Sequence, residues 1–131
     1  MTLSFTTDEV LTATGGHCLA VGAAAQFTGV ATDTRTLAPG ALFVALSGER
    51  FDGHDFIDAA VRQGAAGIVV SREPAVLPSA IAVFLVPDTR LAYQGLARFH
   101  RCRFRLPVVA VTGSNGKTST KDMIAAVLAT R

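Results

Sequence analysis

A glycine-rich segment near the end of the sequence has the residue types and the spacing of a phosphate-binding loop. Its seven residues are Gly113, Ser114, Asn115, Gly116, Lys117, Thr118 and Ser119. The two glycines let backbone N–H groups turn toward phosphate oxygens. Lys117 would reach the β- and γ-phosphates as the catalytic cation, and the Thr118 hydroxyl would bind a bridging Mg²⁺. The segment therefore predicts that residues 113–119 bind ATP and Mg²⁺.

Two flanking elements must hold this loop in place. The apolar residues 107–111 predict a short strand before it. A helix is predicted after it, and its apolar face carries Met123, Ile124, Val127 and Leu128. The N-terminus of that helix would add the positive end of its dipole to an anion site. Strand, loop and helix in this order are the context that a phosphate loop requires.

The match to the general pattern GxxxxGK[ST] is incomplete. Val111 occupies the first glycine position, so only the shorter form GxxGK[ST] is present. The alternative interpretation is a glycine turn that caps a helix and carries an incidental lysine. Only twelve residues follow Ser119, which leaves no room for a return strand or for a second acidic Mg²⁺ ligand. We therefore expect this chain alone to be catalytically inactive.

Strand and helix patterns alternate upstream of this unit. Helices are predicted at 7–15, at 55–64 and, with Asp88 as the cap, at 88–103. Apolar runs predict strands at 18–21, 27–31, 41–46, 67–70 and 81–86. Strands that alternate with helices of this length predict an α/β fold with at least some parallel pairing.

The composition describes a folded chain and excludes several classes of protein. Half of the 131 residues are hydrophobic and 17% are charged, as in a globular protein. A net charge of +2 is too small for ligand binding through overall charge. Cys18 and Cys102 have no metal-ligand or disulfide spacing, and no apolar run reaches the roughly 20 residues of a membrane span. We expect a cytoplasmic protein without a secretory signal or membrane span, and we favour a monomer.

A basic and aromatic cluster lies at the end of the third predicted helix. Its members are Arg98, Phe99, His100, Arg101, Arg103, Phe104 and Arg105. In isolation this pattern suggests a nucleic-acid surface. Cations also gather at a helix C-terminus, where they oppose the helix dipole, so we favour a structural role and no nucleic-acid partner.

A change of composition near residue 104 predicts a domain boundary. The basic helix end and Pro107 precede a new unit of strand, loop and helix. We therefore predict one domain at 1–104 and the beginning of a second at 105–131.

Three motifs in the first domain, together with the loop at 113–119, resemble the Mur ligase family. The motifs are 32–35 (Thr-Asp-Thr-Arg), 39–46 (Pro-Gly-Ala-Leu-Phe-Val-Ala-Leu) and 48–56 (Gly-Glu-Arg-Phe-Asp-Gly-His-Asp-Phe). The ATP loop of that family also lacks the first glycine of the general pattern, which accounts for Val111. The resemblance implies a UDP-sugar-binding domain at 1–104. It also implies that the first strand, the phosphate loop and the first helix of a truncated central ATP-binding domain follow.

Within the family, residues 32–35 and 48–52 look most like the member that adds D-alanyl-D-alanine to UDP-N-acetylmuramoyl-tripeptide in peptidoglycan synthesis. The resemblance implies that ATP phosphorylates the terminal carboxylate of the tripeptide and that the amine of D-alanyl-D-alanine attacks the acyl phosphate. The alternative is the neighbouring ligase that adds the third amino acid. That ligase shares Asp33, Arg35 and the pairs at 39–40 and 52–53.

The UDP-sugar contacts of the family carry over to Thr32, Thr34, Glu49, Arg50 and Phe51. The resemblance implies that Arg50 meets a pyrophosphate oxygen and that Phe51 lies against the uracil or the ribose. The structural alternative is that Asp33 and Arg35 pair on a surface turn and that Phe51 belongs to the core.

Two other functions remain open. A free-standing UDP-sugar-binding module would keep the first domain without ligase activity. An unrelated phosphate-loop NTPase or kinase would use the first hundred residues only as a scaffold. Binding of a UDP-N-acetylmuramoyl peptide excludes the NTPase, and a ligase assay separates an enzyme from a binding module.

Overall fold

The computed structural model describes residues 3–105, 107–110, 113 and 117–129, and it describes their side chains except at 117–120. The strands are β1 (Phe5–Thr6), β2 (His17–Ala20), β3 (Gln26–Phe27), β4 (Val30–Ala31), β5 (Leu42–Val44), β6 (Gly67–Val70) and β7 (Ala82–Leu85). The helices are α1 (Thr7–Thr14), α2 (Ile57–Arg62), α3 (Thr89–Cys102) and α4 (Lys117–Ala129), and a 3₁₀ turn at Gly53–Phe56 leads into α2. None of the helices in these ranges is long and apolar enough to cross a membrane.

Five strands form the central sheet in the order β2-β7-β6-β5-β4. β4, β5, β6 and β7 run parallel to one another, whereas β2 pairs with β7 in the antiparallel direction. Parallel neighbours need a crossover connection, and α2 supplies the one between β5 and β6. The predicted α/β fold with parallel pairing is confirmed.

Both faces of the sheet are buried because consecutive residues of a strand point to opposite sides. Leu42 and Val44 of β5 lie in one core together with Leu96 of α3. Phe43, between them, lies in a second core together with Ile57 of α2. α1 and α3 therefore cover one face of the sheet, and α2 covers the other.

Capping side chains and a glycine define the helix ends. The Thr6 hydroxyl accepts the N–H of Glu9 at 3.2 Å, and the Glu9 carboxylate accepts the N–H of Thr6 at 2.8 Å. The cap of α1 is therefore Thr6, whereas the sequence predicts a helix start capped at Thr7. Gly15 caps the C-terminus of α1, and its φ of 68° suits a residue without a Cβ. Asp88 caps α3 as predicted.

The strand predicted at 27–31 is wrong as a single element. β3 pairs with β1 in a separate two-stranded sheet, whereas β4 joins the central sheet beside β5. Gly29 lies between them with a φ of 112°, a conformation that interrupts a strand and favours glycine. The other four strands predicted before residue 87 are present, with ends that differ by at most two residues.

The second predicted unit has no core of its own within the described residues. The strand predicted at 107–111 is absent from 107–110, and residue 111 lies outside the described residues. Val108 and Val109 are 66% and 59% exposed, and no described strand runs beside them to supply ladder hydrogen bonds. The helix predicted after the loop is confirmed as α4, but Met123 and Leu128 of its apolar face are exposed.

Candidate functional site

An open pocket of about 670 Å³ lies at the carboxyl edge of the central sheet. The segments that follow β4 and β5 line it, because the carboxyl ends of two neighbouring parallel strands lie at the same edge of the sheet. Its lining residues are Thr32, Asp33, Thr34, Arg35, Phe43, Leu46, Ser47, Gly48, Phe51 and Phe56. Open α/β sheets bind ligands in crevices outside the carboxyl ends of their strands. We call this cavity the edge pocket.

The turn after β4 forms one wall of the edge pocket. Within it, the Asp33 carboxylate accepts hydrogen bonds from Nε of Arg35 at 3.0 Å, from its Nη2 at 2.7 Å and from its backbone N–H at 2.9 Å. The Arg35 guanidinium first, and then the backbone N–H, lower the pKa of Asp33 to about 2. The surface pair that the sequence left open is therefore present. Thr32 and Thr34, on either side of Asp33, line the pocket.

Two aromatic rings form a second wall. Phe51 and Phe56 are stacked, with 5.1 Å between ring centroids and an angle of 26° between ring planes. They are 46% and 39% exposed, so the alternative that Phe51 belongs to the core is wrong. A stacked, exposed pair presents a flat apolar surface that suits a nucleobase or a sugar ring.

Backbone hydrogen bonds shape the loop that carries Phe51. The N–H of Gly48 donates to the carbonyl of Phe51 at 2.7 Å, and the N–H of Gly53 donates to the carbonyl of Leu46 at 2.6 Å. A Cβ added at Gly53 would lie 2.7 Å from the backbone nitrogen of Leu46, which is closer than a real contact allows. Glycine at position 53 therefore lets the loop return close to the end of β5.

Asp52 ties this loop to the segment after β6. Its Oδ2 accepts a hydrogen bond from Nη2 of Arg72 at 2.7 Å, and its Oδ1 accepts the backbone N–H of His54 at 3.0 Å and the hydroxyl of Ser47 at 3.2 Å. The Arg72 guanidinium first, and then the His54 N–H, hold the pKa of Asp52 well below its usual range. Asp52 therefore stays ionised at neutral pH and keeps the loop against the sheet.

His54 is a buried link in the same network. Its Nε2 accepts the backbone N–H of Ser71 at 3.0 Å, so the proton of the neutral ring belongs on Nδ1, which lies 2.8 Å from Oδ1 of Asp52. Both ring nitrogens are thus occupied by protein groups. The geometry assigns His54 to holding the loop rather than to proton transfer.

Three of the five predicted UDP-sugar residues meet at one place. Thr32, Thr34 and Phe51 line the edge pocket. Glu49 and Arg50 are exposed on the loop that carries Phe51 and are not among the lining residues. The predicted contacts of all five with a ligand stay predictions.

Three residues of this region are not predicted from the sequence as part of a site. Phe56 is predicted to lie on the apolar face of the second helix, but the 3₁₀ turn leaves its ring exposed beside Phe51. Ser47 and Ser71 each follow a buried strand segment. A polar residue just after a buried strand is the sequence feature that could have pointed to them. Which strand ends lie side by side is set by the sheet order, which local sequence does not show.

The predicted ATP loop is described only in part. Gly113 has a φ of 140°, a conformation that favours glycine, and α4 begins at Lys117. A glycine turn shortly before a helix N-terminus fits an anion site. Residues Ser114, Asn115 and Gly116 and the side chains of 117–119 lie outside the described part, so the ATP and Mg²⁺ assignments stay predictions. Among the described side chains, no group of three His, Cys, Asp or Glu could hold a metal ion.

Residues 26–101 match the family model described as Mur ligase family, catalytic domain. The UDP-N-acetylmuramoyl-tripeptide–D-alanyl-D-alanine ligase of Escherichia coli is 51% identical over 107 residues, which are 82% of this chain and 23% of that protein. The UDP-N-acetylmuramoyl-L-alanyl-D-glutamate–2,6-diaminopimelate ligase of Chlorobaculum tepidum is 39% identical over 109 residues, which are 82% of this chain and 22% of that protein. The chain thus spans less than a quarter of the length of these curated relatives.

Solved structures show the same fold. The UDP-N-acetylmuramoylalanyl-D-glutamyl-2,6-diaminopimelate–D-alanyl-D-alanyl ligase from Acinetobacter baumannii superposes with a TM-score of 0.87 at 34% identity, over 98% of this chain and 28% of that chain. A MurF ligase from Thermotoga maritima, solved in complex with ADP, superposes with a TM-score of 0.69 at 39% identity, over 78% of this chain and 23% of that chain.

Proposed function

The chain belongs to the Mur ligase family, and from this premise we propose that it is the N-terminal part of the ATP-dependent ligase that adds D-alanyl-D-alanine to UDP-N-acetylmuramoyl-tripeptide in peptidoglycan synthesis. The observation that carries the proposal is the edge pocket, which combines a stacked aromatic wall with a hydroxyl-bearing turn. Identity of 51% to a D-alanyl-D-alanine ligase, against 39% to a diaminopimelate ligase, favours this member over the one that adds the third amino acid.

The edge pocket is proposed to hold the UDP part of the substrate. Phe51 and Phe56 offer a stacking surface to the uracil or the ribose. The hydroxyls of Thr32 and Thr34 can form hydrogen bonds with the polar groups of the same uracil or ribose. A cavity of about 670 Å³ is in the range of sites that bury a ligand of nucleotide size. Arg50, exposed on the same loop, is proposed to reach a pyrophosphate oxygen, and Glu49 beside it is proposed to contact a polar group elsewhere on the UDP-sugar.

The segment at 113–119 is proposed to bind ATP. Backbone amides of the glycine turn and the N-terminus of α4 would hold the phosphates, Lys117 would neutralise charge on the transferred phosphoryl group, and Thr118 would hold Mg²⁺. When bound, Mg²⁺ supplies Lewis-acid stabilisation of that charge. The turn at Gly113, the start of α4 at Lys117 and the ADP of the Thermotoga relative support this proposal.

The chain is proposed to contain a UDP-sugar-binding domain at 1–104 and the beginning of another domain at 105–131. Apolar side chains are exposed at Val108, at Val109 and along α4. This exposure is expected if these segments pack against further parts of a second domain. We therefore propose that the D-alanyl-D-alanine site and the remaining Mg²⁺ ligands lie in the rest of the protein. The chain alone should bind the UDP-sugar without turnover.

Titration of the 131-residue chain with UDP-N-acetylmuramoyl-tripeptide tests the binding half of the proposal. We expect saturable binding, and we expect Phe51→Ala to weaken it by about tenfold, because base stacking on an aromatic ring contributes roughly 1–3 kcal/mol. Val76→Ala, at a residue that is 82% exposed outside the edge pocket, serves as the control. Absence of binding to the parent chain would reject the assignment of this pocket.

A ligase assay on the full-length protein tests the catalytic half. Phosphate release from ATP is measured with UDP-N-acetylmuramoyl-tripeptide and D-alanyl-D-alanine as the first pair of substrates. It is measured separately with UDP-N-acetylmuramoyl-L-alanyl-D-glutamate and diaminopimelate as the second pair. We expect turnover only with the first pair. Turnover only with the second pair would identify the alternative ligase, and UDP-sugar binding without any turnover would identify a binding module.

A further inference from the structure

The side chain of Asp52 connects the linings of two cavities. Ser47 lines the edge pocket, whereas His54 and Arg72 line a second cavity of about 390 Å³. Asp52 lines neither cavity. Its carboxylate nevertheless accepts the Ser47 hydroxyl at 3.2 Å and Nη2 of Arg72 at 2.7 Å, and it lies 2.8 Å from Nδ1 of His54. A residue outside the edge pocket can therefore act on its wall without touching a ligand in it.

Residues 47–53 form a small hairpin that carries Phe51. Ser47 and Asp52 face each other in an isolated antiparallel bridge, and the N–H of Gly48 donates to the carbonyl of Phe51 at 2.7 Å. Within the described chain, the backbone hydrogen bonds of this hairpin reach only neighbouring residues of the sequence. These bonds set the internal shape of the hairpin, but they do not hold it against the sheet.

Arg72 makes the one hydrogen bond that joins this hairpin directly to a distant part of the described chain. The bond from its Nη2 to Oδ2 of Asp52 spans twenty positions of sequence. Arg72 follows β6, a strand of the central sheet whose four residues are all buried. The cation therefore stands on a rigid part of the fold, and it can fix the place of a hairpin whose other bonds are local.

The aromatic wall of the edge pocket depends on that place. Phe51 belongs to the hairpin, whereas Phe56 belongs to the 3₁₀ turn that follows it, and the two rings stack at 5.1 Å between centroids. Asp52 contacts both Arg72 and His54, so its side chain sets the hairpin and the turn relative to each other. Loss of the Arg72 contact should let Phe51 move away from Phe56.

We infer that Arg72 is a positioning residue for ligand binding in the edge pocket and that it acts through Asp52 on the ring of Phe51. This inference rests on the proposed function of the edge pocket and extends it to a residue that does not line the pocket. The side chains of Arg72 and Asp52 are 58% and 31% exposed, so solvent screens the pair and its effect on binding is moderate.

Calorimetric titration of the 131-residue chain with uridine, which is uncharged, and with UDP-N-acetylmuramoyl-tripeptide, which is anionic, tests the inference. Arg72→Gln should weaken both ligands by the same factor, about threefold to fivefold, because the effect passes through the ring of Phe51. Arg72→Lys, which keeps the charge, should lose less. Arg62→Gln, at an exposed position of α2, is the matched control and should bind like the parent. A loss confined to the anionic ligand would show direct attraction by the cation and would overturn the inference.

A double-mutant cycle with Phe51→Ala tests whether Arg72 acts through this ring. Arg72→Gln should weaken uridine in the parent and have no further effect in the Phe51→Ala chain, since the ring that it positions is already absent. A merely structural role of Arg72 would give the same loss in both backgrounds, and that result would overturn the inference.

A fluorescent reporter tests the position of the ring without a ligand. The chain contains no tryptophan, so Phe51→Trp introduces a single indole into the aromatic wall. Adding Arg72→Gln should shift its emission to longer wavelength and increase its quenching by acrylamide, whereas Arg62→Gln should do neither. Unchanged emission and quenching would overturn the inference.

The proposed function and this inference fail in different ways. If the parent binds both ligands and Phe51→Ala weakens them while Arg72→Gln does not, the inference is overturned and the edge pocket stands. Failure of the parent to bind either ligand would overturn both.

Discussion

Two ionised carboxylates hold the two walls of the edge pocket. Asp33 fixes the turn after β4 through Arg35, and Asp52 fixes the loop of Phe51 through Arg72 and His54. In both cases the folded protein lowers the pKa of the carboxyl group, so the charged form is the one that stabilises the structure. The shape of the pocket is therefore linked to the ionisation of two single residues.

Asp52→Asn should lower the free energy of unfolding at neutral pH, because the amide has no charge to offer Arg72. Folding lowers the pKa of Asp52 from its ordinary value of 3.8, so its contribution is fully present above that value and is lost as the pH falls toward the folded-state pKa. The difference between parent and variant should thus be constant from about pH 7 to pH 5 and shrink below about pH 4. Urea denaturation across this range measures it.

Asp58→Asn, at an exposed position of α2, is the control for that series. Its free energy of unfolding at neutral pH should differ from that of the parent by less than about 0.5 kcal/mol. A difference between the parent and Asp52→Asn that grows on acidification would contradict the assigned direction of the pKa shift.

Lys117→Ala in the full-length enzyme should lower nucleotide-dependent turnover by at least about 100-fold, because the variant lacks the proposed cation at the transferred phosphoryl group. Affinity for the UDP-sugar should change by less than about twofold, since the edge pocket belongs to the other unit. Lys121→Ala, one helical turn further along α4, is the control. Equal ATP turnover in parent and variant would reject the role of Lys117.

The helices α1 and α3 pack closely at Gly95. A Cβ at this position would collide with the carbonyl oxygen of Ala13. Alanine in place of glycine ordinarily stabilises a helix by roughly 0.5–1 kcal/mol, but overpacking costs about 1–3 kcal/mol. The cost of the steric clash is larger than the gain in helix propensity. The close packing of α1 against α3 therefore requires glycine at position 95.

Gly95→Ala should therefore destabilise the protein by about 1–2 kcal/mol in urea denaturation, in spite of its better helix propensity. Arg98→Ala, on the exposed side of α3, should change the free energy of unfolding by less than about 0.5 kcal/mol. A variant at Gly95 that is more stable than the parent would show that the two helices can move apart without cost.

Helices and strands with a clear cap or apolar pattern in their own residues were predictable from the sequence. Strands that depend on which other strand lies beside them were not. Asp88 and a periodic apolar face predict α3, and a continuous apolar run predicts β6. Residues 27–31, in contrast, divide between two sheets, and 107–110 form no strand, because a strand exists only where another chain segment lies beside it.

The same distinction holds for the candidate site. The family resemblance points to Thr32, Thr34 and Phe51, which line the edge pocket. The contact of His54 with Ser71 spans seventeen positions of sequence and depends on where β6 ends in the sheet. No local pattern contains that information.

Arg103 joins the two ends of the first predicted unit. Its Nη1 donates to the carbonyl of Ser4 at 2.6 Å, its Nη2 lies 2.9 Å from the Glu9 carboxylate, and its guanidinium lies over the ring of Phe5 at 4.7 Å. The basic cluster at this helix end thus includes a structural cation that joins the end of α3 to the segment around β1.

A chain ending at Phe104 should fold and bind UDP as tightly as the 131-residue chain, because the described core contains no residue beyond this point. A chain ending at Cys102 lacks the Arg103 contacts and should unfold at a lower urea concentration. Circular dichroism and UDP titration of both chains test the predicted boundary. Unfolded protein from the chain ending at Phe104 would place the boundary further along the sequence.

The pairing of β2 with β7 also constrains how the chain is made. More than sixty residues separate the two strands, and β7 lies between β2, its antiparallel neighbour, and β6, its parallel neighbour. At roughly 5–20 residues per second, the ribosome releases β2 several seconds before β7 emerges. Throughout that interval neither edge of β2 has a partner strand, and binding to a chaperone or to the ribosome surface would protect these unpaired backbone groups from aggregation.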